Sequence, residues 1–275
     1  MVAFPNGKIN LGLSILNKRE DGYHNLETVF FPVPFSDALE IITNTNSNNQ
    51  IEFTTTGLQV DGKKEDNLCV KAYHLLKKDF HQLPNIKIHL HKAIPLGAGL
   101  GGGSADAAFM LKLLNNKFHL NLSTHNLIKY SVQLGSDCPF FIINKPCFAT
   151  GRGEKLEEIS IDLSVYNIVL INPGIHVTTA WAFSQLPAGR VPNNRGIKEI
   201  IAQPITTWKN ELQNDFELPV FAAHPQIKEI KEWLYRQGAI YAAMSGSGST
   251  VFGICNKEID CTPFIQKNYF IKIIN

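Results

Sequence analysis

The sequence predicts an α+β fold in two domains, on three observations. The chain has 275 residues, and at ~150 residues per domain this suggests two of them. Short stretches of strict apolar alternation mix with stretches of helical spacing. They do not repeat strand then helix as a doubly wound parallel sheet requires. Past residue 155 the pattern restarts with a new buried strand, which divides the chain near 160–165, into 1–162 and 163–275.

Each element has a local signature. In residues 8–16, Ile9, Leu11, Leu13 and Ile15 alternate with Lys8, Asn10, Gly12 and Ser14, the pattern of a half-buried strand. The turn Lys18-Arg19-Glu20-Asp21-Gly22 leads to a second strand through Thr28–Val33. The polar run 43–50 separates strands at 38–42 and 51–55. Asn67 is placed to cap a helix that carries Leu68, Ala72, Leu75 and Leu76 on one face. Ile86, Ile88 and Leu90 mark another strand, and after a glycine run Ala107, Met110, Leu111 and Leu114 follow at i, i+3, i+4, i+7. A helix from about Ser123 to Leu134 stops at Gly135. Further on, strands are expected at 166–171, 239–244, 250–255 and 269–274, and helices near 178–185, 196–201, 208–213 and 225–237.

Composition narrows the function classes. Apolar residues make up 44% and charged residues 18%, enough for a sizeable core. A net charge of +2 does not supply a basic nucleic-acid coat. No apolar run approaches the ~18 residues of a membrane helix. The N-terminus carries Lys8 and Asn10 in its apolar stretch and does not read as a signal peptide. Five cysteines without a CxxC pair read as reduced thiols of a cytoplasmic protein.

The strongest motif is Pro95-Leu96-Gly97-Ala98-Gly99-Leu100-Gly101-Gly102-Gly103-Ser104, with five glycines in seven residues. A strand, a glycine loop and a helix aim backbone N–H groups and the positive helix end at one point, an arrangement that binds phosphate. Ser104 is placed as the helix N-cap or as a hydroxyl near a phosphate-bound magnesium. The usual phosphate loops fail on context. Gly97, Gly99 and Gly102 fit GxGxxG, but no acid lies between Asp106 and Asp137 to hold a ribose. The Walker lysine is missing before Ser104, and no VAIK-type strand follows.

The loop PLGAGLGGGSADAA resembles the second motif of the GHMP small-molecule kinases, named for galactokinase, homoserine kinase, mevalonate kinase and phosphomevalonate kinase. Four other segments are similar to those of a member that acts on a cytidine diphosphate substrate. They are Lys8-Ile9-Asn10-Leu11 through Asp21-Gly22-Tyr23-His24, Leu134 to Phe141 around Asp137, Asn214-Asp215-Phe216-Glu217, and Met244 to Thr250. The resemblance spans the whole chain in order. It implies an N-terminal domain like ribosomal protein S5 domain 2 and a ferredoxin-like C-terminal domain. It also implies ATP with Mg2+, and phosphorylation of a 2-hydroxyl on the non-mevalonate route to isoprenoid precursors. A monomer or homodimer is expected, without nucleic-acid or membrane partners.

The resemblance also assigns roles. Asp137 becomes the general base and a substrate contact; from the residues alone it would form an Asx turn. Lys8 becomes the charge that keeps Asp137 ionised and stabilises the transferring group; alone it reads as a strand-edge lysine. Residues 95–104 hold the ATP phosphates. Asn10, Tyr23 and His24 contact substrate, the two rings at the cytidine. An aromatic from 173–183, with Trp181 and Phe183 as candidates, would form the other side of that base site. The 245–249 turn would approach the phosphates as a nest, and Arg152 is a further candidate contact. Ala105 and Asp106 stand where many relatives have Ser and Asn, so Asp106 either helps hold magnesium or faces away; the metal ligands stay open. His89 and His91 alternate on a strand without an apparent third ligand. Other readings are a different GHMP kinase, an inactive nucleotide-binding regulator, or a dinucleotide oxidoreductase.

Overall fold

The structure is a computed structural model that describes residues 1–45, 50–60, 62–186 and 195–275. Residues 46–49, the tip of the expected 43–50 loop, lie outside the described residues. In chain order the elements are β1 (Val2–Ala3), β2 (Asn6–Lys18), β3 (His24–Ser36), β4 (Ala38–Thr43), β5 (Ile51–Gly57), α1 (Leu68–Asp79), β6 (Ile86–Lys92), α2 (Gly102–Lys117), α3 (Thr124–Val132) and α4 (Cys138–Ile143). There follow β7 (Cys147–Thr150), β8 (Lys155–Glu158), β9 (Asn167–Asn172), α5 (Thr179–Ser184), α6 (Ile197–Ile201), α7 (Ile205–Glu211), α8 (Glu217–Ala223), α9 (Pro225–Arg236), β10 (Tyr241–Met244), β11 (Val251–Cys255), α10 (Thr262–Ile265) and β12 (Phe270–Ile274).

The chain packs into two compact units that interleave along the sequence. One comprises Met1–Gly7, Pro34–Leu96 and Gly101–Lys145, and the other Lys8–Val33, Gly97–Leu100 and Pro146–Asn275. The first holds a sheet in the order β1-β4-β6-β5, in which only the β5–β6 pair is parallel. A parallel pair needs a crossover, and α1 supplies it. Asn67 caps α1 as expected, its side chain accepting from the Cys69 N–H at 2.9 Å. Ile86, Ile88 and Leu90 are buried while Lys87 and His91 on the other face are exposed, so the alternation read from sequence is real.

The second unit holds two sheets, β2-β3-β7-β8 and β10-β11-β9-β12. All neighbours in the latter are antiparallel. Taken from β12, its strands stand in the order fourth, first, third, second, which is the ferredoxin-like arrangement. Ile227, Ile230 and Leu234 recur at helical spacing on α9 and are fully buried in a core with Val169, Ile171 and Val251. Each such side chain contributes about 1.5–3 kcal/mol.

Strand β2 departs from the sequence expectation. Its apolar face is buried, but so is the polar one, with Lys8 at 3% and Asn10 at 2% exposure. Segments distant in sequence cover that face, and no local pattern announces them. The short elements α4, β7, β8, α8 and α10 were also unmarked, because one helical turn or four residues of strand carry too little periodicity to read.

Candidate active site

The second unit holds Lys8. Lys8 Nζ donates to Asn10 Oδ1 at 2.6 Å, the pair standing two residues apart on one face of β2. The ammonium also lies 5.1 Å from the centre of the Phe30 ring, a cation–π position. Asn10 Nδ2 donates to Thr28 Oγ1 at 2.9 Å, and that hydroxyl donates to the Gly12 carbonyl at 2.5 Å. A buried ammonium is tolerated only when it is held this way.

The first half of the glycine loop packs into the same cluster. The Lys8 N–H donates to the Leu100 carbonyl at 2.9 Å, and the Thr250 N–H to the Ala98 carbonyl at 3.2 Å. Ser245 Oγ donates to the Gly99 carbonyl at 2.8 Å and accepts from the Asn10 N–H at 3.3 Å. Gly99 has φ of +78°, and a Cβ there would overlap the Ser245 carbonyl oxygen. Glycine is required by both the backbone angle and the close approach.

The 245–249 turn is fixed from two sides. Asn214 Nδ2 donates to the Met244 and Gly246 carbonyls at 2.7 and 2.8 Å. Asp215 Oδ2 accepts from the Ile15 N–H at 2.7 Å, and Glu217 Oε1 from the Met244 N–H at 2.8 Å. The Asn214–Glu217 stretch is thus a clip that joins β2 to this turn. On the other side, Asn172 Nδ2 donates to Ser249 Oγ and Thr250 Oγ1 at 3.2 and 2.9 Å. Sequence reasoning named the 214–217 segment without its job and missed a role for Asn172; an asparagine closing the apolar run 166–171 was the available signal.

The rings separate. His24 stacks on Phe183, with centroids 4.7 Å apart and 13° between planes. Burial, and secondarily the charge of Lys18, lowers the His24 pKa, which favours the neutral ring. Tyr23 is exposed, and the Arg152 guanidinium lies 4.8 Å from its ring centre. Trp181 turns instead toward His224, 5.8 Å away.

The first unit carries the rest of the loop and Asp137. Helix α2 begins at Gly102, and its N-cap is Gly101 with φ of +71°. This corrects the placing of Ser104 as N-cap: the left-handed glycine starts the helix three residues earlier and puts Ser104 inside its first turn. Burial pushes the Cys138 thiol up to about 12, while a hydrogen bond with Ser104 opposes it. Asp137 sits at the N-cap of α4, yet its side chain makes no capping hydrogen bond. Its carboxylate is not spent on the helix, as an Asx turn would require.

The same unit contains a cavity of about 570 Å³. Phe53, Val60, Leu68, Leu90 and Leu96 supply apolar wall, and Lys92, Gly103 and Asp106 also line it. Sequence reading did not find it, because its walls come from four separated segments. Lys92 Nζ is bound by Asp37 and Asp106, at 2.8 Å from the latter's Oδ2. Asp37 Oδ1 also accepts from the Ala93 and Ile94 N–H groups at 2.6 and 2.8 Å. Asp106 therefore faces Lys92. Among the described residues no group of three His, Cys, Asp or Glu gathers around a metal position. His89 and His91 pair instead with the Thr54 and Thr56 hydroxyls at 3.0 Å. No helix among the described residues is long and apolar enough to cross a membrane.

A strand–glycine loop–helix segment and a ferredoxin-like sheet on one chain mark the class, a small-molecule kinase. The GHMP kinases N terminal domain family matches residues 67–145, and the GHMP kinases C terminal family matches 197–260. A 4-diphosphocytidyl-2-C-methyl-D-erythritol kinase from Bacteroides fragilis is 54% identical over 258 residues, covering 94% of this chain and 93% of its own. The same-named protein from Parabacteroides distasonis is 49% identical, over 98% and 96% of the two chains. A solved 4-(cytidine 5'-diphospho)-2C-methyl-D-erythritol kinase superposes with a TM-score of 0.79 at 30% identity, over 92% of this chain and 90% of its own. Homoserine kinase from Cytophaga hutchinsonii shares the fold, with a TM-score of 0.73 at 14% identity over 98% and 94% of the chains. The chain belongs to the GHMP kinase family, within its 4-diphosphocytidyl-2-C-methyl-D-erythritol kinases. It is an ATP-dependent kinase of a small molecule.

Proposed function

We propose that this kinase transfers the γ-phosphoryl group of ATP to the 2-hydroxyl of 4-diphosphocytidyl-2-C-methyl-D-erythritol, a step toward isoprenoid precursors in the cytoplasm. The observation that carries the mechanism is the ammonium of Lys8, buried at 3% exposure and aligned by Asn10 at 2.6 Å. Its charge stabilises the transferring phosphoryl group, and a group fixed before the reaction costs no reorganisation during it. Asp137 accepts the hydroxyl proton as the new O–P bond forms; the bond from the γ-phosphorus to the bridging oxygen breaks, and ADP leaves with the electron pair. Phosphoryl transfer asks for little more than this base, this cation and positioning.

Residues 95–104 hold the phosphates, and the adenosine lies in the apolar-walled cavity, whose volume suits a nucleoside. Magnesium bound with ATP would draw its other ligands from phosphate oxygens and water. Ser104 in the first turn of α2 would be the protein ligand, and the ion would neutralise phosphate charge. Tyr23 and His24 hold the cytidine. The flat Phe183 stack fixes the His24 ring, and Arg152 backs Tyr23. Along the chain we keep the domains at 1–162 and 163–275, although Lys8–Val33 and Gly97–Leu100 pack with the C-terminal residues.

The test is ADP release from ATP and magnesium with the cytidine substrate, homoserine or mevalonate as acceptor. Turnover only with the first, and a product heavier by one phosphoryl group, is expected. Turnover on another alcohol with the cytidine compound inert overturns the assignment.

A further inference from the structure

We infer that Lys112 is a positioning residue for Asp137: its ammonium holds the C-terminal end of α4, the short helix that carries Asp137 at its N-cap. The inference rests on the proposed role of Asp137 as base. Lys112 Nζ donates to the Phe141 carbonyl at 2.7 Å and lies 4.7 Å from the centre of the Phe109 ring. Phe141 is in the last turn of α4, where carbonyls have no partner within the helix. The Asn144 N–H takes the Phe140 carbonyl at 2.6 Å, and Lys112 takes the next one. An ammonium at that end also opposes the negative pole of the helix.

With six residues, α4 is too short to hold its shape alone. Its place is set by what it packs on, and α2 is bonded to it at both ends. At the near end Cys138 is hydrogen-bonded with Ser104, and a Cβ on Gly135 would stand 3.3 Å from Cys138 Sγ and 3.8 Å from Ser104 Oγ. At the far end is Lys112. The two contacts come in the same order along both helices, so α2 and α4 run in the same sense and bring Ser104 and Asp137 to the same end. A lysine stem leans toward the start of its helix, which takes Nζ back from position 112 to the short α4. The position is unfavourable for a charge, since burial lowers the Lys112 pKa to about 8. A buried ammonium persists where it is held.

The test is a double-mutant cycle on turnover, with saturating ATP, magnesium and cytidine substrate. Lys112→Met keeps an apolar stem and removes the donor with its charge. It should lower kcat by about tenfold, since small displacements of a reacting group slow a reaction steeply, and leave the KM for ATP unchanged. ATP-binding stoichiometry by calorimetry counts the folded fraction, so kcat is read per folded molecule. Lys117→Met, which takes a charge from the last turn of the same helix, should leave kcat unchanged. In an Asp137→Asn background, Lys112→Met should lower turnover no further, because a base that is gone needs no positioning. A Lys112→Met variant with the kcat of the intact protein overturns the inference, as does the same fractional loss with and without Asp137. In either case a collapsed Asp137→Asn variant leaves the base reading standing, whereas an Asp137→Asn variant that keeps its turnover would sink both.

Discussion

At the scale of single residues, the site depends on groups whose charge is set by what surrounds them. His24 is the clearest. Its ring lies flat on Phe183, and burial lowers its pKa below the ordinary value near 6.5. A lowered pKa means that the folded state favours the neutral ring. The resulting stability is present above the ordinary value and is lost as pH falls through the depressed one. If the neutral ring is the form that binds, the KM for the cytidine substrate should be flat above the ordinary imidazole value near 6.5 and rise as pH falls below it. Glutamine at this position should remove that acid limb while leaving the KM for ATP alone, in initial-rate measurements across pH. The residue types were legible from sequence: Lys8, Asn10 and Asp137 stand in recognisable motifs. Their burial was not. Lys8 is 3% exposed, and residues 97–100 and 245–250 bond to the β2 backbone beside it, contacts between segments more than eighty positions apart.

At the scale of elements, the glycine loop and the 245–249 turn are rigid because each braces the other. The Thr250 N–H holds the Ala98 carbonyl, Ser245 holds Gly99, and Asn214 holds two carbonyls of the turn. Asn214 is buried, so alanine there strands both carbonyls. The loss should be about 2–3 kcal/mol, lowering Tm by about 5–10 °C and raising the KM for ATP. Thermal unfolding beside ATP kinetics checks this; an unchanged Tm would show that the clip carries no weight. Long periodic elements such as α1, α2 and α9 were readable from sequence, as was the Asn67 cap. The start of α2 was misread because serine is the commoner cap, and only the positive φ of Gly101 reveals the true one.

At the scale of the whole molecule, the fold class follows from order along the chain: hairpins and helices first, then a ferredoxin-like sheet whose first strand is β9 and last is β12. That order was legible, and the family matches at 67–145 and 197–260 fall on it. The interleaving of the packed units was not, since a strand sequence records its own periodicity and not its partners. The cavity lined by Phe53, Leu68, Leu90 and Asp106 escaped for the same reason. The central proposal is that Asp137 is the base of the phosphoryl transfer, and Asp137→Asn tests it most directly. With saturating ATP, magnesium and cytidine substrate, ADP release should fall by about 10²–10⁴-fold, the usual worth of a general base, with the dissociation constant for ATP unchanged. A variant that keeps most of its turnover would contradict the account, because the proton of the substrate hydroxyl would then be leaving by another route.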